Sequence, residues 1–338
     1  MSGAIHLAGT IRDIARQAGV SPTTVSQVLN NKGNFREETR RLVLDTAAKL
    51  GYAKELPIAR QLKRIAILFP THLQSGLSSN ELYQEIYEAI TFRLPESVSV
   101  MTLPNDLELF PLKSALANRQ IDAAIAFGAS VDHPTFERLA ELGIPALAVL
   151  REAERSTLNW VSIDHEKAAF DATSHLIALG HRNIAFVIHR DNTGYMDARV
   201  RGFSQALASA GIEADESHVL IQTPADGQKL VNSLFQLDPL PTAVFASPDS
   251  LAVDIVKRAN ELGYSVPSDL SIVGFDDLAC ASTCDPPLTT IGFSKELAGE
   301  LAVDLLFWAY EKQLVSLGAR IPHELIVRGS TTAAATRK

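Results

Sequence analysis

Between Ser21 and Asn30 the sequence SPTTVSQVLN sets short polar side chains among valines. Ser21, Thr23, Thr24, Ser26, Gln27 and Asn30 offer hydroxyls and amides, and Pro22 offers an apolar ring. On a helix, Val25, Val28 and Leu29 take one face and the polar set takes the other. No nucleophile–base pair stands among them. Hydroxyls and amides on an exposed helical face hydrogen-bond to phosphate oxygens and base edges, and a glutamine pairs bidentately with adenine N6 and N7. The chemistry is recognition of double-stranded DNA.

Such a face needs elements to aim it. Ile11, Ile14, Ala15 and Ala18 recur at helical spacing, and Gly19 breaks the run. Ser21 followed by Pro22 then starts a helix: the hydroxyl accepts an orphan N–H and the proline has none to lose. A third helix is expected through Val43, Ala47 and Leu50, with Leu44 and Ala48 beside them, stopped by Gly51. Helix, glycine turn and polar-faced helix read as a helix-turn-helix.

Charge supports the division. Residues 1–64 carry 11 Lys and Arg against 5 Asp and Glu, and the remainder carries 20 against 34. A basic head on an acidic body presents only the head to phosphates. Lys32, Arg36 and Arg40 are expected phosphate partners.

Beyond Arg64 apolar runs alternate with amphipathic ones. Ile65–Phe69, Val98–Leu103, Ala123–Phe127 and Ala146–Leu150 read as strands. Helices are expected over Glu81–Phe92 and Pro134–Leu142. A second set follows Asp164, with helices at Lys167–Leu179, Met196–Ala210 and Leu251–Leu262 and strands at Ile184–Ile188, Ala243–Ala246 and Leu270–Gly274. Alternation of this kind builds parallel sheets covered on both faces, here two α/β lobes around a cleft. The fold class is therefore α/β, with an all-α helix-turn-helix head.

TIRDIARQAGVSPTTVSQVLN, followed by REETRRLVLDTAAKLGY, resembles the start of the lactose/galactose repressor family. LGHRNIAFV (Leu179–Val187), RVRGF (Arg199–Phe203), SIVGFDD (Ser271–Asp277), PPLTTI (Pro286–Ile291) and ELIVRGST (Glu324–Thr331) extend the resemblance through nearly the whole chain. It implies a periplasmic-binding-protein-like core entered three times, near residues 163, 292 and 319. The expected domains are a DNA-binding head at 1–53, a hinge at 54–64, an N-lobe at 65–163 with 292–318, and a C-lobe at 164–291 with 319–332.

The resemblance also assigns roles. Pro22, Thr23 and Gln27 read bases. Many relatives carry Arg where this chain has Gln27, so the operator is expected to differ there. Ser21, Thr24, Ser26 and Asn30 position the helix on phosphates. Within IARQL, Leu62 is the expected minor-groove wedge and Ala59 its neighbour, although Lys54-Glu55 replaces the usual Pro-Asn and the tether to the core is short. In the cleft, Arg199 and Asp276 are expected to bind the hydroxyls of a small sugar-like effector. Thr71, His72, Phe127, Trp160, Asp249 and Phe293 are placed around them; Trp160 fits a core aromatic equally well. Pro248-Asp249 replaces the common Asn-Asp, and Leu150-Arg151 stands where some relatives have an aspartate. These departures point away from a plain galactoside, toward an acidic sugar or phosphosugar.

A homodimeric, cytoplasmic transcription regulator acting on a pseudo-palindromic operator is implied, most simply a repressor of sugar-uptake or catabolic genes. Control by a phosphoprotein co-repressor and a solute-binding role are the alternatives. No G-x-G-x-x-G, P-loop, H-E-x-x-H or C-x-x-C occurs. Cys280 and Cys284 lack a second ligand pair, and Asp164-His165-Glu166 reads as a helix start. No catalytic residue, metal, cofactor or membrane span is expected.

Overall fold

The computed structural model describes residues 11–29, 35, 38–39, 41–43, 46, 62–71, 80–128, 134–152, 158–189, 195–213, 216–223, 226–312 and 316–335. The chain divides into two compact units, Met1–Arg60 and Gln61–Lys338.

In the first unit α1 (Ile11–Ala18) and α2 (Pro22–Leu29) flank a turn at Gly19. Its φ of +66° lies in the left-handed region, which a Cβ would strain. The Val20 N–H closes onto the Ala15 carbonyl at 3.1 Å, capping α1. Ser21 caps α2, its Oγ accepting from the Thr24 N–H at 3.0 Å. Ile14, Ala15, Ala18, Val25, Val28 and Val43 close the core, with Val20 and Phe35 packed against it. Leu44, Ala47, Ala48 and Leu50 lie outside the described residues.

The second unit opens with β1 (Arg64–Phe69), α3 (Glu81–Arg93), β2 (Ser99–Pro104), α4 (Phe110–Ala117), β3 (Ala123–Phe127), α5 (Pro134–Glu141), β4 (Ala146–Val149) and β5 (Asn159–Ile163). The chain continues through α6 (His165–Ala178), β6 (Ile184–His189), α7 (Tyr195–Ser209), β7 (Val219–Gln222), α8 (Gly227–Leu234), β8 (Ala243–Ser247), α9 (Asp249–Glu261), β9 (Ser271–Phe275), α10 (Ala279–Thr283) and β10 (Thr289–Phe293). It ends with α11 (Lys295–Lys312), β11 (Gly318–Ile321) and β12 (His323–Ile326).

Two six-stranded sheets result, ordered β11-β5-β4-β3-β1-β2 in lobe one and β12-β10-β9-β8-β6-β7 in lobe two. All pairs are parallel except β10 with β12. Strands such as AAIAF are buried at every position, because helices cover both faces. Helix α6 packs tightly on α7 at Gly202, where a Cβ would stand 2.0 Å from the Glu166 carbonyl oxygen. That contact accounts for the glycine in RVRGF.

The chain crosses between lobes after Ile163, at Ser294 and at Pro322. The last crossing falls three residues beyond the expected 319, because Gly318–Ile321 pairs with Trp160–Ile163 of lobe one. A four-residue edge strand, GARI, carries too little periodicity to announce itself.

Leu62 is 0% exposed, immediately before β1. It belongs to the body, and a buried leucine does not supply the expected wedge. The short tether goes with this: only Lys63 stands between Leu62 and β1. Leu62→Ala is therefore expected to lower the body's stability by about 2–5 kcal/mol, read as the urea midpoint. An unchanged midpoint with a selective loss of operator binding would restore the wedge.

Candidate functional sites

Helix α2 exposes Ser21, Pro22 and Gln27 and half-buries Thr24, while Val25 and Val28 fasten its other face to the head's core. Asn30, Lys32, Arg36, Arg40, Ala59 and His72 lie outside the described residues, as do the side chains of Thr23 and Ser26. No charged side chain lies in α2. The helix therefore offers hydrogen bonds and apolar contact without charge of its own.

In lobe two a polar cluster forms at the carboxyl ends of the strands, where α/β sheets hold ligands. Arg199 rises from the second turn of α7 and is 3% exposed. Its guanidinium carbon lies 3.6 Å from the Phe275 ring centroid and 4.5 Å from that of Tyr195. Nη1 donates to Ser247 Oγ. Nε and Nη2 reach His165 Nδ1 at 3.4 and 3.3 Å, and Nη2 lies 3.6 Å from Asp276 Oδ1. Arginine only donates, so His165 Nδ1 accepts and the ring proton sits on Nε2. That proton goes to the Leu150 carbonyl of lobe one at 3.2 Å. Burial, then the Arg199 charge, holds the His165 pKa well below its ordinary value. A neutral imidazole thus links Arg199 to lobe one at the first crossing.

Asp276 and Asp277 have φ of +101° and +49°, uncommon for residues with side chains. The Lys295 ammonium donates to both of their carbonyls, to Asp277 at 3.0 Å. Arg328 Nη2 donates to Asp277 Oδ1 at 2.6 Å. These bonds hold the GFDD turn, which presents the Asp276 carboxylate to Arg199.

Of the expected cleft residues, the fold brings Arg199 and Asp276 together and removes others. Asp249 is 0% exposed. Its Oδ1 accepts from Thr290 Oγ1 at 2.6 Å and its Oδ2 from the Leu278 N–H at 2.8 Å. It braces α9, β10 and the turn after β9 instead of facing a ligand. Burial pushes its pKa up to about 7 against the Thr290 hydrogen bond. Trp160 packs in lobe one's core over Gly318, where a Cβ would meet its ring at 2.1 Å, so it is a core aromatic. Phe127 is fully buried against Tyr83, ring centroids 5.2 Å apart. Phe293 is buried with the Lys295 ammonium 5.2 Å from its ring, and Thr71 is exposed after β1.

The sequence reading missed His165, Ser247, Tyr195 and Phe275 as partners of Arg199. Asp164-His165-Glu166 does begin a helix: Asp164 caps α6 by accepting from the Lys167 N–H at 2.8 Å. Glu166 turns outward to Arg201, and His165 turns in. Cys280 and Cys284 are partly buried free thiols, Cys280 pushed up to about 11 by burial. Among the described residues no cluster of His, Cys, Asp and Glu could hold a metal, and no helix is long and apolar enough to cross a membrane.

Comparison with known proteins follows the same division. Residues 10–55 match the bacterial regulatory proteins of the lacI family, and residues 173–331 match a periplasmic binding protein-like domain. Catabolite control protein A of Priestia megaterium is 31% identical over 341 residues, spanning 95% of this chain and 99% of that protein. Among solved structures, a transcriptional regulator CelR-cellobiose complex aligns with a TM-score of 0.73 at 26% identity, covering 95% of this chain and 99% of that one. The lac repressor dimer bound to operator and the anti-inducer ONPF aligns with a TM-score of 0.67 at 25% identity, covering 97% of this chain and 100% of that one.

Proposed function

The chain belongs to the lacI family of bacterial regulatory proteins and is a DNA-binding transcription regulator, and we propose that it represses its genes as a cytoplasmic homodimer until a sugar binds between the lobes. The observation that carries the reading is one chain holding both an exposed polar α2 face and a buried Arg199–Asp276 pair at lobe two's strand ends. A dimeric relative bound to operator and a relative bound to cellobiose support each half. A guanidinium and a carboxylate offer donors and acceptors in fixed directions, which suits ligand hydroxyls.

Residues 1–53 form the DNA-binding domain. Residues 54–64 are the linker, a reading supported by the split of the chain into units Met1–Arg60 and Gln61–Lys338. Ser21, Thr24, Ser26 and Asn30 position α2, and Pro22, Thr23 and Gln27 read bases, with Lys32 and Arg36 on phosphates. The ligand must bind the DNA-competent and DNA-released forms with different affinity, since only that difference moves the equilibrium.

Selection from random-sequence DNA by the purified chain tests the head. Wild type is expected to enrich a palindrome with half-sites about one helical turn apart. Gln27→Arg is expected to shift one base pair per half-site toward guanine, by about 1–3 kcal/mol of discrimination. An unchanged motif would remove Gln27 from base reading, and no palindrome would overturn the dimeric operator.

A further inference from the structure

After β12 the chain stays on lobe two. Residues 329–335 form no helix or strand, yet they bond across the amino ends of β9 and β10, the end of the sheet opposite the Arg199 cluster. The Ile272 N–H donates to the Ser330 carbonyl at 2.8 Å, and the Thr289 N–H to Ser330 Oγ at 2.8 Å. The Thr332 N–H donates to Ser271 Oγ at 3.1 Å, and the Ala334 N–H to the Leu179 carbonyl at 2.8 Å.

Two histidines complete the attachment, His175 in the last turn of α6 and His181 just after it. A carbonyl only accepts, so His181 Nε2 carries its hydrogen and donates to the Thr332 carbonyl at 3.0 Å, with the Thr242 hydroxyl 3.0 Å from Nδ1. His175 Nε2 meets Thr331 Oγ1 at 3.1 Å, at the end of a hydroxyl chain. The Arg328 N–H donates to Thr289 Oγ1 at 2.9 Å. That leaves the Thr289 hydrogen for Thr331 Oγ1 at 3.1 Å, and the Thr331 hydrogen for His175. Each hydrogen in the chain is used when Nε2 accepts. A proton on Nε2 reverses the Thr331 hydroxyl and takes from Thr289, which is 0% exposed, the acceptor of its hydrogen.

Burial lowers the pKa of both rings; the nearby His181 lowers that of His175 further, and the Thr332 carbonyl works the other way on His181. Neighbouring charges are engaged elsewhere. Arg182 donates to the Ile177 and His181 carbonyls, and Arg328 to the Leu288 carbonyl and Asp277. Asp171, one turn before His175, pairs with Lys167 and His323.

We infer that residues 329–335 are a clasp on lobe two that opens in acid, released when His175 and His181 take up protons side by side. The folded rings are the lowered ones, so the clasp holds fully above the ordinary histidine range. It loosens as pH falls below about 6.5, by up to about tenfold in the opening constant per pH unit for each ring. Opening frees the amino end of β9, whose other end carries the Asp276 turn, and that of β10, which leads to the second crossing. The raised Asp249 carboxyl has the opposite sign and favours the folded lobe in acid. Loosening confined to the clasp is therefore distinct from general acid unfolding.

Hydrogen exchange on the full chain, read by mass spectrometry and corrected for the intrinsic effect of pH, tests this. The peptide containing Thr332 and Ala334 is expected to lose at least about tenfold in protection between about pH 7.5 and pH 5.5, while β3 of lobe one keeps its own. In the double variant His175→Gln, His181→Gln, whose side chains take up no proton, that pH dependence is expected to vanish. A second readout needs no double variant. In wild type labelled with ¹³C at histidine Cε1, two ring signals, identified by their loss in the single variants, are expected to titrate below about pH 6.5. Protection of the peptide that is constant or grows in acid overturns the clasp, and so does a loss shared equally by β3. Retention of the pH dependence in the double variant, or ordinary or raised titration of both rings, overturns the histidines as its release.

Discussion

Arg199→Ala is expected to lower the body's unfolding free energy by about 3–5 kcal/mol and to abolish ligand response together. The guanidinium is buried with five partners: Ser247, His165, the Asp276 carboxylate and the Phe275 and Tyr195 rings. Truncation leaves a carboxylate facing an emptied apolar slot and an imidazole nitrogen without its donor. Breaking a buried pair costs more than the pair contributes, because the surviving charge stays desolvated. Asp276→Asn in the same chain removes that charge, so the double variant should lose less than the sum of the two single losses, with a coupling of at least about 0.5 kcal/mol. Urea denaturation of the four proteins closes the cycle. Additive losses would mean that the pair is geometric proximity without energetic coupling. A ligand-induced thermal shift surviving in Arg199→Ala would separate Arg199 from binding altogether.

The second large effect appears on a pH axis. Asp249 is buried with a pKa pushed up to about 7, the Asp276 charge adding to burial and the Thr290 and Leu278 hydrogen bonds opposing it. An unfolded aspartate titrates near 3.9, so between about pH 4 and pH 7 the unfolded chain gives up a proton that the folded chain keeps. The folded carboxyl is the raised one. Its contribution to stability is therefore greatest below pH 4, declines as pH rises to about 7, and is flat above, a fall of about 4 kcal/mol. Asp249→Asn removes the decline. Its amide keeps an oxygen for Thr290 and turns an NH₂ toward the Leu278 N–H, a penalty of about 1–3 kcal/mol at every pH. The variant is thus expected to be the less stable protein at pH 4.5 and to gain on wild type steadily until pH 7. Parallel urea midpoints across that range would refute the raised carboxyl.

The parts of the molecule legible in the sequence were those written in periodicity or in a cap. Ser21-Pro22, Gly19 and the valines of α2 define the head's first two helices through local chemistry alone. Runs such as AAIAF announce buried parallel strands for the same reason. What escaped depends on contacts made far along the chain. Trp160 is fixed in the core by a glycine at 318, and Asp249 is drawn inward by Thr290 and the Leu278 N–H. His165 looked like one more polar residue at a helix start, and only the fold sets it between Leu150 and Arg199. Leu62 misled because a leucine near a linker carries no mark of which side of the boundary it serves. The register of Gly318–Ile321 against β5 decided the third crossing, and four residues hold no signal for it.

That crossing bears on how the protein is made. The head's described core closes with Val43, far upstream in translation. Lobe one lacks its outer strand until Gly318–Ile321 exists, and lobe two lacks its antiparallel edge until His323–Ile326 exists. A ribosome paused before Gly318 would hold a folded DNA reader on two unfinished sheets, each with an open edge able to pair with a neighbouring chain. Synthesis of one short stretch completes both lobes at once, so sensing is acquired last and in a single step.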